Sequence, residues 1–319
     1  MSHTFRATLP ALFLSLIVPC TLPAMAADPA PAKDAAPTEA PVERAPLLTR
    51  AQEDAIALER QLPPQDLQQL QAGDESFLAL WKPANSAEPQ GAVILLPGAG
   101  ESADWPDIIG PLRRKFPDTG WATLSITLPD VQDEALMPRE PDAPATDEKP
   151  KEAAKDDTAK EADAQAQAGD DAAKAAAAEE RAKAEAEKIF ARIESAISFA
   201  QQNKARSIVL VGHSSGAYWA ARFLNERPSP AVQKFAMVAA REPLNTKPSL
   251  LELIPTLKMK TADFVYRNLA AQAANDRLQA SKRTKGAGFT QVGLTNIAGN
   301  EDAEQEQIFR RIRGWVEAN

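Results

Sequence analysis

Ten residues limit the possible fold more than any others: SIVLVGHSSG, positions 207–216. The branched aliphatic run reads as a buried strand, and Gly212-x-Ser214-x-Gly216 directly behind it reads as a sharp turn into a helix. Small residues two positions either side of the serine are needed there because the backbone passes close to itself. Ser214 then stands at the turn as a candidate nucleophile. The backbone N–H of Ser215 points at the reacting oxygen as half of an oxyanion hole. A plain glycine-rich turn also matches Gly-x-Ser-x-Gly, but the strand before it and the helical segment with Trp219 and Phe223 after it favour the elbow.

Strand and helix patterns alternate on both sides of this stretch. A short helical pattern runs from Thr49 to about Gln61, SFLALWK at 76–82 alternates as a strand, and GAVILLPG at 91–98 reads as a buried one. Trp105 to Phe116 predicts a helix and GWATLSITLP at 120–129 a further strand. Ile189, Ile193, Ile197 and Ala200 recur at helical spacing. KFAMVAA at 234–240, TADFVY at 261–266 and FTQVGL at 289–294 predict strands, and Ile308, Ile312, Trp315 and Val316 share one face of a last helix. Such alternation predicts an α/β domain over 47–131 and 189–319, with a mostly parallel central sheet flanked by helices.

Two segments fall outside that pattern. At the N-terminus, Arg6, an apolar run from Leu9 to Val18 and the small-residue site Ala24-Met25-Ala26 have the layout of a cleavable signal peptide over 1–26, and the run is too short for a membrane span. Export to the periplasm or medium follows as an expectation, with an Ala/Pro-rich leader at 27–46. Cleavage would remove Cys20, the only cysteine, leaving no thiolate to hold a metal. Residues 132–188 form an acidic Ala/Glu/Lys-rich insert, expected to be part disordered and part solvated helix. Residues 133–188 carry 17 acidic and 9 basic side chains, so the insert accounts for the whole chain's net charge of −8. It reads as a solubilising or spacing element, or as a surface for a protein partner. No basic cluster points to nucleic acid, no metal site is expected, and no fingerprint calls for a cofactor.

The chain resembles the α/β-hydrolase superfamily, and within it a family of exported proteobacterial proteins without an assigned function. The resemblance lies in GAVILLPGAG, in ADWPDIIGPLRRKF leading into GWATLSITLPD, in VGHSSG and in the terminal FRRIRGW. It implies an α/β-hydrolase fold in which the loop Pro97–Gly100, through Ala99 and Gly100, supplies the second oxyanion N–H. The superfamily loop usually begins His-Gly; Pro97-Gly98 keeps the turn and drops a side chain that normally braces it.

Histidine is the scarce component. A serine needs a base within hydrogen-bond reach, and the superfamily uses a late histidine. This chain has two histidines. His3 would leave with the signal peptide, and strand alternation turns His213 away from Ser214. Where the late histidine belongs, the sequence reads NIAGNEDAEQEQ. The loop after TADFVY lacks a carboxylate until Asp276, within a predicted helix, and Asp263 lies inside the strand. Asp302 and Glu242 stand as weak base or acid candidates. The expectation is a catalytically degenerate scaffold that binds an unknown small molecule or acyl ester over Ser214. The alternative is a serine esterase or acyl hydrolase with Ser214 as nucleophile and a non-standard base.

Overall fold

The structure, a computed structural model, describes residues 48–130, 158–244, 246–266, 271–284 and 288–318. The expected signal peptide, the leader and residues 132–157 of the insert lie outside them.

Eight strands form one sheet in the order β1-β2-β4-β3-β5-β6-β7-β8. The hairpin of β1 (Leu67–Ala72) and β2 (Glu75–Lys82) adds antiparallel strands at one edge. The others are parallel: β3 (Gly91–Leu96), β4 (Trp121–Ile126), β5 (Ile208–His213), β6 (Val232–Val238), β7 (Lys260–Tyr266) and β8 (Phe289–Leu294). This is the mostly parallel sheet the sequence predicts.

Period two sorts each central strand between two helical layers. Ala92, Ile94 and Leu96 of β3 join one core with α3 (Thr158–Gln202) and α4 (Ser215–Glu226). Val93 and Leu95 join the other with α2 (Ile109–Lys115) and α7 (Glu301–Glu317). Covered on both faces, β3 is buried from end to end.

Four elements differ from the sequence expectation. β2 is not half-exposed: Leu58 of α1 (Arg50–Gln61) packs with Leu78 and Leu80, while Phe77 and Ala79 face the first core. β1, LQQLQA, was not anticipated, since three glutamines hide its pattern. It forms because Gly73, at φ 61°, lets the chain reverse in two residues, pairing Ala72 with Glu75. α2 starts at Ile109 rather than Trp105; Pro106 disfavours helical backbone at the residue before it. Finally, α3 runs unbroken from the Ala/Glu/Lys-rich segment into the apolar stretch. Among its described side chains the first core residue is Ala186, followed by Ile189, Phe190, Ile193 and Ile197.

The chain leaves β3 toward β4 on one side and enters β5 on the other. The loops after β3 and β5 therefore face each other at the carboxyl edge of the sheet, where this strand order opens a crevice.

Candidate functional site at the carboxyl edge of the sheet

Ser214 sits between β5 and α4 with φ 51° and ψ −123°, a backbone conformation that costs a non-glycine residue about 1–3 kcal/mol. Hydrogen bonds hold it there. Its N–H donates to Val238 O at 3.0 Å, and its carbonyl accepts from Ala217 N at 3.2 Å and Arg241 N at 3.1 Å. Both flanking glycines are required by space. A Cβ on Gly212 would lie 2.5 Å from Ala217 Cα, and one on Gly216 would run into the carbonyl oxygens of Leu96 and Pro97. The loop after β3 backs directly onto the serine: a Cβ on Gly98 would stand 2.9 Å from Ser214 Cβ.

That loop is braced from within. Glu101 Oε2 accepts the Gly98 N–H at 2.6 Å and lies 2.7 Å from His213 Nδ1, with both side chains 12% exposed. Because a carboxylate only accepts, His213 Nδ1 carries the proton of this contact. Glu101 thus occupies the bracing role that the Pro97-Gly98 start leaves open, and His213 turns toward it. Ala99 N–H donates to Ser215 Oγ at 2.7 Å. Gly100, at φ 72°, has the Arg50 guanidinium against it, so that a Cβ would meet Nη1 at 2.8 Å. Ala51 N–H, in the first turn of α1, donates to Asp130 Oδ2 at 2.9 Å. The α1 N-terminus therefore packs over the loop. A small open cleft lies beside it, lined by Ala51, Asp54, Ala99, Glu101, Ser102 and Asp130 among others.

The base and acid candidates lie elsewhere in the network. Glu242 Oε1 accepts the Leu250 N–H at 2.8 Å, at the start of α5 (Leu250–Leu253). Asp302 is exposed in the first turn of α7, and Asn300 caps that helix by accepting the Ala303 N–H at 3.0 Å. Asp263 is fully buried and bonded to Arg277 of α6 (Ala271–Arg283) at 2.8 Å and to Gln291; burial pushes its carboxyl up, against the opposing pull of Arg277. Asp276 lies on α6, paired with Gln272. Among the described residues none hydrogen-bonds the Ser214 hydroxyl.

A Tyr–Glu contact ties the end of β7 to α7. Tyr266, the last residue of β7, donates its hydroxyl to Glu304 Oε1 at 2.7 Å, and Glu304 Oε2 accepts the Ile297 N–H at 2.8 Å. Thr295 N–H is held by Gln307 Oε1 at 2.8 Å. Burial and the neighbouring Glu304 carboxylate both raise the Tyr266 phenol pKa far above its ordinary value. Sequence reasoning missed Glu101, the Ser215 hydroxyl and Tyr266. Only Glu101 left a signal, as the lone charge in a Pro/Gly/Ala loop. Among the described residues no group of three or more His, Cys, Asp or Glu is placed to hold a metal, and no helix is long and apolar enough to cross a membrane.

The strand order and the elbow at the crevice define an α/β-hydrolase fold. The chain belongs to the family described as protein of unknown function (DUF3530), whose model matches residues 9–318. Comparison with curated protein sequences gave no match. Solved structures share the fold at low identity. The Pyrococcus furiosus esterase Pf2001 has a TM-score of 0.52 at 10% identity, covering 80% of this chain and 93% of that one. Dienelactone hydrolase from Anabaena variabilis has 0.51 at 15%, covering 79% and 97%. Est1E from Butyrivibrio proteoclasticus has 0.51 at 9%, covering 79% and 100%.

Proposed function

We propose that this is an exported protein that binds a small molecule or acyl ester on a hydrolase scaffold, with the elbow serine kept and no working triad around it. The histidine carries this reading. Once His3 leaves with the signal peptide, His213 is the only imidazole in the chain, and its Nδ1 is committed to Glu101 at 2.7 Å. Without a base, the hydroxyl of Ser214 stays protonated and a poor nucleophile. Glu242 is engaged at α5 and Asp302 stands exposed on α7, which further supports an inert serine. Residues 132–188 act as a solubilising spacer or as a contact for a protein partner.

A second reading, a serine esterase or acyl hydrolase with a non-standard base, is favoured by the strained backbone of Ser214, which a plain turn has no reason to retain. The esterases among the structural neighbours make a carboxylic ester the bond to assay. The test is the initial rate on short-chain nitrophenyl esters, native protein against Ser214→Ala. Equal rates are expected; turnover lost with the serine would establish the second reading instead.

A further inference from the structure

We propose that the Ser215 hydroxyl is a built-in occupant of the oxyanion position, which a ligand must displace and which selects ligands that present an anionic oxygen. The inference rests on Pro97–Gly100 being the oxyanion loop.

An oxyanion donor is useful when its N–H is aimed at an oxygen of the ligand. Here two loop donors already have internal acceptors: Ala99 N–H has Ser215 Oγ at 2.7 Å, and Gly98 N–H has Glu101 Oε2 at 2.6 Å. The Ser215 N–H, first in α4, has no intrahelical partner, as is usual in the first turn of a helix.

The two acceptors are not equally fixed. The Glu101 carboxylate is charged and held a second time by His213. The Ser215 hydroxyl is neutral and among the described residues accepts only from Ala99. It swings away by rotation about one bond with three staggered wells. When it turns, Ala99 N–H is freed, and the Ser215 N–H is the second donor of the pair.

What arrives must outcompete a hydroxyl. A neutral ester carbonyl exchanges one neutral hydrogen bond for another and gains little. An anionic oxygen forms charge-assisted bonds of roughly twice the strength and displaces the hydroxyl. The ligand class is therefore a carboxylate, a phosphonate or another species with anionic oxygen at Ser214, rather than a neutral ester.

The experiment uses phenylphosphonate, which presents anionic oxygen and forms no bond to Ser214, with the mature protein, read by calorimetry and by the Ala99 amide resonance. Ser215→Ala should bind about tenfold tighter than native, the scale of one hydrogen bond. Ser215→Thr, which keeps the hydroxyl, should bind like native. Ala99 amide exchange should be slow in native and Ser215→Thr and fast in Ser215→Ala. If Ser215→Ala does not fold, Ser215→Cys serves, because sulfur is a weak acceptor. Equal affinity in native and Ser215→Ala, including no binding by either, overturns the proposal, as does fast Ala99 exchange in native. Ester turnover dependent on Ser214 in the native protein would instead overturn the reading of an inert serine, whatever the phenylphosphonate result.

Discussion

Ser214 lies in the left-handed half of backbone space with a side chain that gains no hydrogen bond there among the described residues. A glycine tolerates that geometry, so Ser214→Gly should raise stability by about 1 kcal/mol in denaturant unfolding, whereas Ser214→Ala should not. The neighbouring glycines behave in the opposite sense. Gly212→Ala or Gly216→Ala forces a methyl into the backbone of Ala217 or of Leu96 and Pro97, and each should cost about 1–3 kcal/mol or more. Glu101→Ala leaves the Gly98 N–H and the His213 ring without their shared acceptor. A loss of about 1–3 kcal/mol is expected, with faster amide exchange at Gly98. The elbow was legible because Gly-x-Ser-x-Gly encodes a steric requirement. The Glu101 brace was not, because a carboxylate reaching back three residues and across to a strand end has no local pattern.

The elements that announced themselves in the sequence are those with a strong period. FTQVGL and TADFVY fall on β8 and β7, and Ile308, Ile312 and Val316 line the buried face of α7. Those that did not are set by tertiary contacts: β1 takes its register from the Gly73 turn, and β2 is buried on both faces because α1 lies across it. At the ends of β7 and β8, the Tyr266–Glu304 contact ties a strand to α7 and fixes the loop at 295–300. Its pH dependence has a definite sign. The folded protein favours the neutral phenol, so the stability from this contact is present below tyrosine's ordinary pKa of about 10 and is lost as pH rises past it. The chain has two tyrosines. The phenolate absorbance that disappears in Tyr266→Phe should therefore appear, in the native protein, only above the ordinary tyrosine range. A normal titration of that component would show that the Glu304 contact does not hold in solution.

On the scale of the molecule, charge and fold are separate. The net charge resides in the segment 133–188, while the sheet and its two cores come from residues that balance to neutrality. Among the described side chains of α3 the first core contact is Ala186, and residues 176–185 are exposed or half-exposed. Deleting 138–180 should therefore shift Tm by no more than about 2 °C, within the range of surface changes. A larger loss would mean that the helix upstream of Ala186 supports the domain. The α/β layering was legible from alternation, and the hydrolase fold from the elbow and the resemblance; the state of the site was not, since it depends on which donors and acceptors meet across loops distant in sequence. The central claim is that Ser214 sits at a formed elbow without a base to activate it. Intact-mass analysis after incubation of the mature protein with a fluorophosphonate, against Ser214→Ala as control, tests this most directly. The predicted result is no Ser214-dependent adduct on the timescale on which serine hydrolases label fully. Stoichiometric labelling at Ser214 would contradict it.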